Sequence, residues 1–162
     1  MGKFRHSLSG SMAVEFALMA PLVCVLIFMM LEVGFTITMQ YMLDNAAADA
    51  SRLIRTGAAQ ASGSSSSFYA KLCSDTSLLL TCSNIKFNVQ SGASFSALST
   101  TLTTDSNGAM ANTAYAPGAA GSDVLVQVGY NRTLFTPFVS KFFGKNGRFL
   151  VLSSVVFQNE PY

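Results

Sequence analysis

Glu15 is the residue that most requires a chemical explanation, because it stands at the start of a long apolar stretch. Residues 16–31 comprise sixteen residues without a charge, which correspond to about 24 Å of α-helix at 1.5 Å per residue. A carboxylate in a membrane segment costs about 2.5–3.5 kcal/mol at the centre and less near an end. A segment that serves only as an anchor has no reason to keep this charge, so Glu15 indicates a partner of opposite charge.

An amine released at Ser11 would supply that partner. The order of Gly10, four further residues, Glu15 and Phe16 is similar to the processing pattern of type IV prepilins. In that pattern a membrane-embedded aspartyl peptidase cuts after the glycine, whose missing side chain suits an extended backbone in a cleft. The new ammonium would lie about one helical turn from Glu15 on the same face, where the helix dipole also favours a carboxylate.

Pairing between subunits is a second way to neutralise Glu15. In an assembly its carboxylate could pair with the ammonium of a neighbouring subunit, and only one axial offset would then remove both buried charges. Removal of residues 1–10 takes away Lys3 and Arg5 and leaves eight basic and eight acidic side chains. Such a neutral product avoids self-repulsion when copies pack side by side.

The apolar stretch has three interpretations. With residues 12–14 and 33–37 included, it is long enough to cross a hydrocarbon core of about 30 Å. A cleaved secretory signal needs a small-x-small site just afterwards, and the residues after Leu31 make a poor one. A buried core helix is the second interpretation. A retained membrane anchor is favoured, with its amino end in the cytoplasm because Lys3 and Arg5 precede it.

Composition argues against several classes of function. Only 11% of the residues are charged, against about 25% in typical soluble domains, and no Lys/Arg cluster indicates a nucleic-acid partner. The only histidine, His6, lies in the leader, so the sequence predicts neither a Ser-His-Asp triad nor a metal site in the exported part. We expect no catalytic residues, no cofactor and no enzymatic activity. Three scattered acids are interpreted as turn or strand-end residues: Asp75, Asp105 and Asp123.

Two cysteines are candidates for a disulfide bond. Cys73 and Cys82 are separated by eight residues, and an exported chain reaches an oxidising compartment. Two free thiols are the alternative. Cys24 lies in the apolar stretch, where it is expected to behave as a small apolar residue.

The elements that position these residues follow from hydrophobic periodicity. We expect a helix over about residues 12–54, kinked at Pro21 and ended near Gly57. Its outer half has one apolar stripe, for which packing on its own domain and packing on a partner helix both remain open. Strands are predicted at 84–90, 123–130 and 149–157, the last as the central one. A short helix is predicted after Thr136 with Phe135, Phe138, Val139 and Phe142 on one stripe, another around 95–102, and residues 91–121 have no assigned place.

The amino-terminal residues resemble the first block of TadE-like pseudopilins of the bacterial tight-adherence (Flp) pilus system. The resemblance covers about residues 9–57 and 121–162. It rests on the following residues: Gly10, the run 13–18 with Glu15, Pro21, Glu32, Gly34, Gln40, Ala46 to Ala48, Arg52, Gly57, the strand-like run 121–130, and the terminal run from Phe157 to Tyr162 with its Asn-Glu-Pro-aromatic end. Glu160 and Pro161 are interpreted as an exposed terminal tail, with partner binding as the alternative.

The resemblance implies a pilin-like α+β fold, in which a long amino-terminal helix continues into a small antiparallel exported sheet. Together with the composition and periodicity of the chain, this predicts a leader over 1–10, a helix over 11–57 with a membrane half (12–37) and an amphipathic half (38–57), a Gly/Ser-rich linker over 58–67 and an exported domain over 68–162. The resemblance further implies a minor pilin cut by a prepilin peptidase, held in the inner membrane and partnered by other Tad pilins and the assembly platform. The alternative is an uncleaved, single-pass envelope adaptor.

Overall fold

A computed structural model describes residues 8–61 and 64–161, with the side chains of Leu8, Ser9 and Phe138 left out. The predicted cations Lys3, Arg5 and His6 and the terminal Tyr162 therefore lie outside the described residues. The helices are α1 (Leu8–Arg55), α2 (Ala58–Ala61), α3 (Ser66–Thr76) and α4 (Pro137–Phe143), and the strands are β1 (Ile85–Gly92), β2 (Asp123–Thr133) and β3 (Arg148–Gln158). This α+β architecture confirms the predicted fold class.

Helix α1 has two halves that differ in their surroundings. Side chains before Glu32 are exposed or only partly covered, although most of them are apolar. After Glu32 the predicted apolar stripe is buried against the sheet and α3, which selects packing on the chain's own domain: Met39, Leu43, Ala46, Ala47, Ala50 and Ile54. The helix continues through Pro21 and ends before Gly57, whose positive φ of 78° is the conformation that favours glycine after a helix.

The sheet has the order β1-β2-β3, with both pairs antiparallel. The prediction that the last strand is central was therefore wrong. Strand β2 is buried from Asp123 to Tyr130, whereas β3 is an edge strand with Val156 half exposed. The polar residue Gln127 within β2 made this strand look half exposed in the sequence. In the fold Gln127 is buried, and its side-chain oxygen accepts a hydrogen bond from Asn88.

Residues 93–121 cover the sheet face that lies opposite α1. Gln127 of β2 donates to the carbonyl of Thr100, and Asn131 donates to that of Asn107. The backbone around Tyr115 also pairs with Val89 of β1. The helix predicted around 95–102 is reduced to a single 3-10 turn, Phe95–Ala97, because this segment is held by backbone and amide hydrogen bonds rather than by a helical apolar stripe.

Helices α3 and α4 complete the domain. The predicted linker 58–67 includes α2 and the first residues of α3, while residues 62 and 63 lie outside the described part. Helix α4 begins with Pro137 directly after Thr136, as predicted. Its predicted apolar stripe is not buried as a whole, since Val139 is buried while Phe135 and Phe142 are largely exposed.

A disulfide bond joins Cys73 of α3 to Cys82, just before β1, with the two Cα atoms 5.4 Å apart. The predicted pairing is thus present. The bond closes a short loop, which is worth about 2–3 kcal/mol in the chain-entropy model. The hydroxyl of Tyr69 donates to the carbonyl of Cys82 across the same junction.

We expect the double replacement of Cys73 and Cys82 by serine to lower the free energy of unfolding by about 2–3 kcal/mol. Chemical unfolding of the detergent-solubilised chain, followed by near-ultraviolet circular dichroism, measures this loss. Cys24→Ser is the matched control, because Cys24 is unpaired and exposed on the apolar half of α1. A double variant as stable as Cys24→Ser would show that the bond contributes nothing.

Candidate functional site: the helix–sheet junction and the amino-terminal turn

A buried ion pair joins α1 to the sheet at the point where the helix enters the domain. The guanidinium Nη2 of Arg132 lies 2.6 Å from Oε1 of Glu32, and the two side chains are 2% and 3% exposed. Strand periodicity places Arg132 on the same face of β2 as the buried Val128 and Tyr130. Helix periodicity likewise places Glu32 on the stripe that continues to Met39. Two core-facing positions therefore carry opposite charges at the same end of the domain.

The Glu32 carboxylate also fixes the connection between β2 and α4. It accepts hydrogen bonds from the backbone N–H groups of Phe135, at 3.0 Å, and Thr136, at 2.8 Å. Those N–H groups belong to the residues just before α4, so one side chain of α1 orients the whole loop. A carboxylate with a guanidinium and two N–H donors is well compensated, which is what burial of its charge requires.

Aromatic rings and a hydroxyl hold the Arg132 guanidinium in place. Its Nη1 donates to Oγ1 of Thr36 at 2.5 Å. Its central carbon lies 5.3 Å from the ring centroid of Phe35 and 5.6 Å from that of Phe135, within the range of cation–π attraction. Burial lowers the pKa of Arg132 below its ordinary value, and the nearby Glu32 carboxylate opposes part of this shift. The guanidinium stays charged, because arginine is not deprotonated in proteins.

Neither Glu32 nor Arg132 was predicted as a site residue. Glu32 was interpreted as the end of the apolar stretch and as part of the family resemblance, and Arg132 had no assigned role. The sequence did contain a signal for burial of both residues. The alternation of β2 continues from Tyr130 to Arg132, and the helical stripe of α1 includes Glu32. The pairing itself could not be predicted from these patterns, because the two residues are 100 positions apart in the sequence. Only the topology places the end of β2 beside Glu32 of α1.

The terminal residues lie at the opposite end of the domain. The side chain of Asn159 is buried and donates to the carbonyls of Pro117 and Ala119. The N–H of Glu160 donates to the carbonyl of Arg55, at the last residue of α1, and the two side chains form an exposed ion pair of 3.1 Å. The chain at Asn159 and Glu160 is therefore held against the domain, and Glu160 and Pro161 are exposed at its surface, as predicted.

The predicted amino-terminal site residues lie on the first turns of α1. Gly10 and Ser11 are exposed, and the hydroxyl of Ser11 donates to Oε1 of Glu15 at 3.2 Å. The two side chains therefore share one face of the helix, one turn apart. The Glu32–Arg132 pair is separate from this turn, since it lies 17 residues further along α1, about 26 Å away at the helical rise.

Comparison with known proteins bears on this helix. Residues 10–52 match the family model described as TadE-like protein. The amino-terminal segment is therefore TadE-like. The match confirms the resemblance predicted from the residues, although it does not extend to the strands. No curated protein and no solved structure matches the chain.

The TadE-like segment coincides with most of α1 and includes both acids discussed above. It begins at Gly10 and ends at Arg52, three residues before the helix ends. The helix is long and apolar enough to cross a membrane. The TadE-like family is a structural, pilin-type family rather than a family of enzymes.

Proposed function

We propose that this chain is a TadE-like minor pilin, or pseudopilin, of a tight-adherence type IV pilus. A prepilin peptidase cuts it after Gly10, and α1 anchors the product in the bacterial inner membrane. The amino end faces the cytoplasm and the sheet domain faces the periplasm. The protein takes part in initiating or capping the assembly of a pilus for surface adhesion, together with other Tad pilins and the inner-membrane assembly platform.

The observation that carries this proposal is that the TadE-like match begins at Gly10, the glycine of the processing pattern. Exposed apolar side chains of α1 follow from Met12 onward. From Ser11 to Glu32 the helix rises about 32 Å, which is close to the thickness of a hydrocarbon core of about 30 Å. This half of α1 needs a bilayer or other helices to cover its apolar side chains.

The structure also supports a role for Ser11 and Glu15 after the cut. Cleavage would make Ser11 the first residue of the helix, with a free ammonium one turn from the Glu15 carboxylate. The hydrogen bond between the two side chains indicates that this distance is within reach. The cost of the buried carboxylate would then be offset within one subunit, or between subunits once they assemble.

Processing gives the direct test. When the protein is purified from the membrane of cells that express the pilus system, we expect amino-terminal sequencing to begin at Ser11 and the intact mass to lack residues 1–10. In cells without the prepilin peptidase, the determined sequence should begin at the original amino terminus and the intact mass should include residues 1–10. An unshortened chain in cells with an active peptidase would contradict the proposal and favour the uncleaved adaptor.

A further inference from the structure

The end of the sheet domain that lies beside Glu32 exposes aromatic side chains on both sides of α1. Phe135 is 75% exposed and Phe143 is 66% exposed. Phe135 shares a groove with Phe28, Leu31 and Phe35 of α1. Phe143 lines a second groove on the other side of the helix with Met29, Val33 and Ile37. We call these two grooves and their aromatic side chains the membrane-proximal rim.

We propose that the membrane-proximal rim inserts into the outer lipid leaflet, so that the domain rests on the bilayer instead of being held above it by α1 alone. This inference rests on the proposed membrane anchoring and adds a second contact with the same bilayer. The occupant of both grooves is thus lipid, at the boundary between acyl chains and headgroups.

The position of the rim along the helix supports a lipid surface as the occupant. If the hydrocarbon core begins near Ser11, a helical rise of about 32 Å brings the opposite interface to Glu32. The rim is held at this level by direct contacts, because the N–H of Phe135 bonds Glu32 and its ring lies 6.1 Å from that of Phe35. Apolar side chains that include phenylalanine line the buried face of protein segments that lie at the boundary between headgroups and acyl chains.

The chemistry around the rim also fits lipid headgroups. Residues 134–149, which comprise the connection from β2 and the first two residues of β3, contain three basic residues and no acid. Lys145 donates to the carbonyl of Asp105, whereas Lys141 and Arg148 are exposed. Cations beside an apolar surface are attracted to anionic lipids. The buried Glu32–Arg132 pair orients this loop, and so it sets the angle at which the rim meets the bilayer.

Single tryptophans test the inference, because the natural chain contains none. Four variants of the full chain are reconstituted in vesicles of phosphatidylethanolamine and phosphatidylglycerol whose acyl chains are brominated either near the headgroup or near the chain end. Phe143→Trp and Phe135→Trp report on the rim, and Leu22→Trp reports on the middle of the span. Phe95→Trp is the control, since Phe95 is 53% exposed and follows the end of β1 furthest from the rim.

We expect both rim tryptophans to lose most of their fluorescence to lipids brominated near the headgroup and less to lipids brominated near the chain end. Leu22→Trp should show the reverse order, and Phe95→Trp should be quenched only by aqueous acrylamide. Quenching of Leu22→Trp without quenching of either rim variant would overturn the inference and leave the anchor in place. Absence of quenching in Leu22→Trp would overturn both.

Two further results are decisive. Rim tryptophans that neither lipid nor acrylamide quenches would mean that protein covers the rim, which also overturns the inference. If one rim variant fails to unfold at the same denaturant concentration as the natural chain, the other decides, because the two residues lie in different grooves. Should both fail, Phe142→Trp is the substitute reporter, at a residue that is 69% exposed on the same helix as Phe143.

Discussion

Replacement of Arg132 by methionine is expected to lower the free energy of unfolding of the sheet domain by about 3–5 kcal/mol, the usual cost of removing one partner from a buried ion pair. The apolar stem of methionine fills part of the same space but leaves the Glu32 charge uncompensated among apolar groups. The two N–H bonds from Phe135 and Thr136 remain. They reduce the penalty without removing it, because the nearest positive charge is gone.

A second variant separates the charge from the packing. In the double variant Glu32→Gln with Arg132→Met, the amide oxygen still accepts from one of the two N–H groups before α4, while no buried charge is left. We expect this protein to recover more than half of the stability lost by Arg132→Met alone. Replacement of Glu32 by an apolar residue would not show this recovery, because it would leave two buried N–H groups without an acceptor, at about 1–3 kcal/mol each.

Arg55→Met is the matched control for this pair of variants. Arg55 makes an ion pair of similar length with Glu160, but both side chains are about half exposed: 55% and 51%. An exposed pair contributes at most about 1 kcal/mol. Chemical unfolding in detergent, followed by near-ultraviolet circular dichroism, compares the three proteins, and a loss in Arg132→Met no greater than that in Arg55→Met would refute the stabilising role of the junction.

The sequence predicted the elements that follow from a regular period. The stripe from Met39 to Ile54 has helical spacing, and the run from Val124 to Tyr130 alternates, so both were assigned to the correct element and face. Strand order was not predictable in the same way. An apolar run suggested a central position for β3, but the central strand is β2. Its buried polar side chains, such as that of Gln127, form hydrogen bonds with residues distant in the sequence.

Residues 93–121 escaped prediction for a related reason. This segment covers one face of the sheet through amide side chains and backbone carbonyls, as between Gln127 and Thr100, and such contacts leave no hydrophobic period. Asp105 is an example of a local pattern that was interpreted correctly as a turn residue, since its carboxylate accepts from the N–H groups of Ala109 and Asn107. These bonds hold the pKa of Asp105 below its usual value.

The aromatic residues of the loop after β2 show that a helical pattern does not by itself determine burial. Phe135, Val139 and Phe142 were predicted to share one stripe of a short helix. Only Val139 among them is buried, because α4 contacts the edge strand β3 and faces α1 across an open groove. Exposure of phenylalanines would be costly in water, and it is the proposed contact with lipid that makes the same residues favourable.

Replacement of Glu15 by alanine is expected to leave cleavage after Gly10 intact while lowering incorporation into the pilus assembly on the order of tenfold to a hundredfold. The reasoning is energetic. An uncompensated ammonium on Ser11 remains at the membrane end, and a charge near an end costs less than the roughly 2.5–3.5 kcal/mol expected at the centre. Each 1.4 kcal/mol of this cost lowers the equilibrium constant for incorporation about tenfold.

Gly10→Phe is the matched variant with the opposite pattern. A bulky side chain at the residue before the cut should block processing, so the chain stays at full length and Glu15 keeps no ammonium partner. Intact mass measures the cut, and the fraction of the protein that copurifies with sheared pili or with the assembly platform measures incorporation. We expect Glu15→Ala to be cut but poorly incorporated, and Gly10→Phe to be neither cut nor incorporated.

Expression of the natural protein alongside a Glu15 variant decides between the two roles of Glu15. If the carboxylate only neutralises the ammonium of its own subunit, Glu15→Gln should be incorporated about as poorly as Glu15→Ala, and adding a second copy of the natural protein should not help. If it pairs between subunits, natural copies should restore part of the incorporation, because each still offers a carboxylate to the variant's ammonium. Normal piliation with Glu15→Ala would contradict charge pairing in either form, and the cut after Gly10 would then serve only to release the leader.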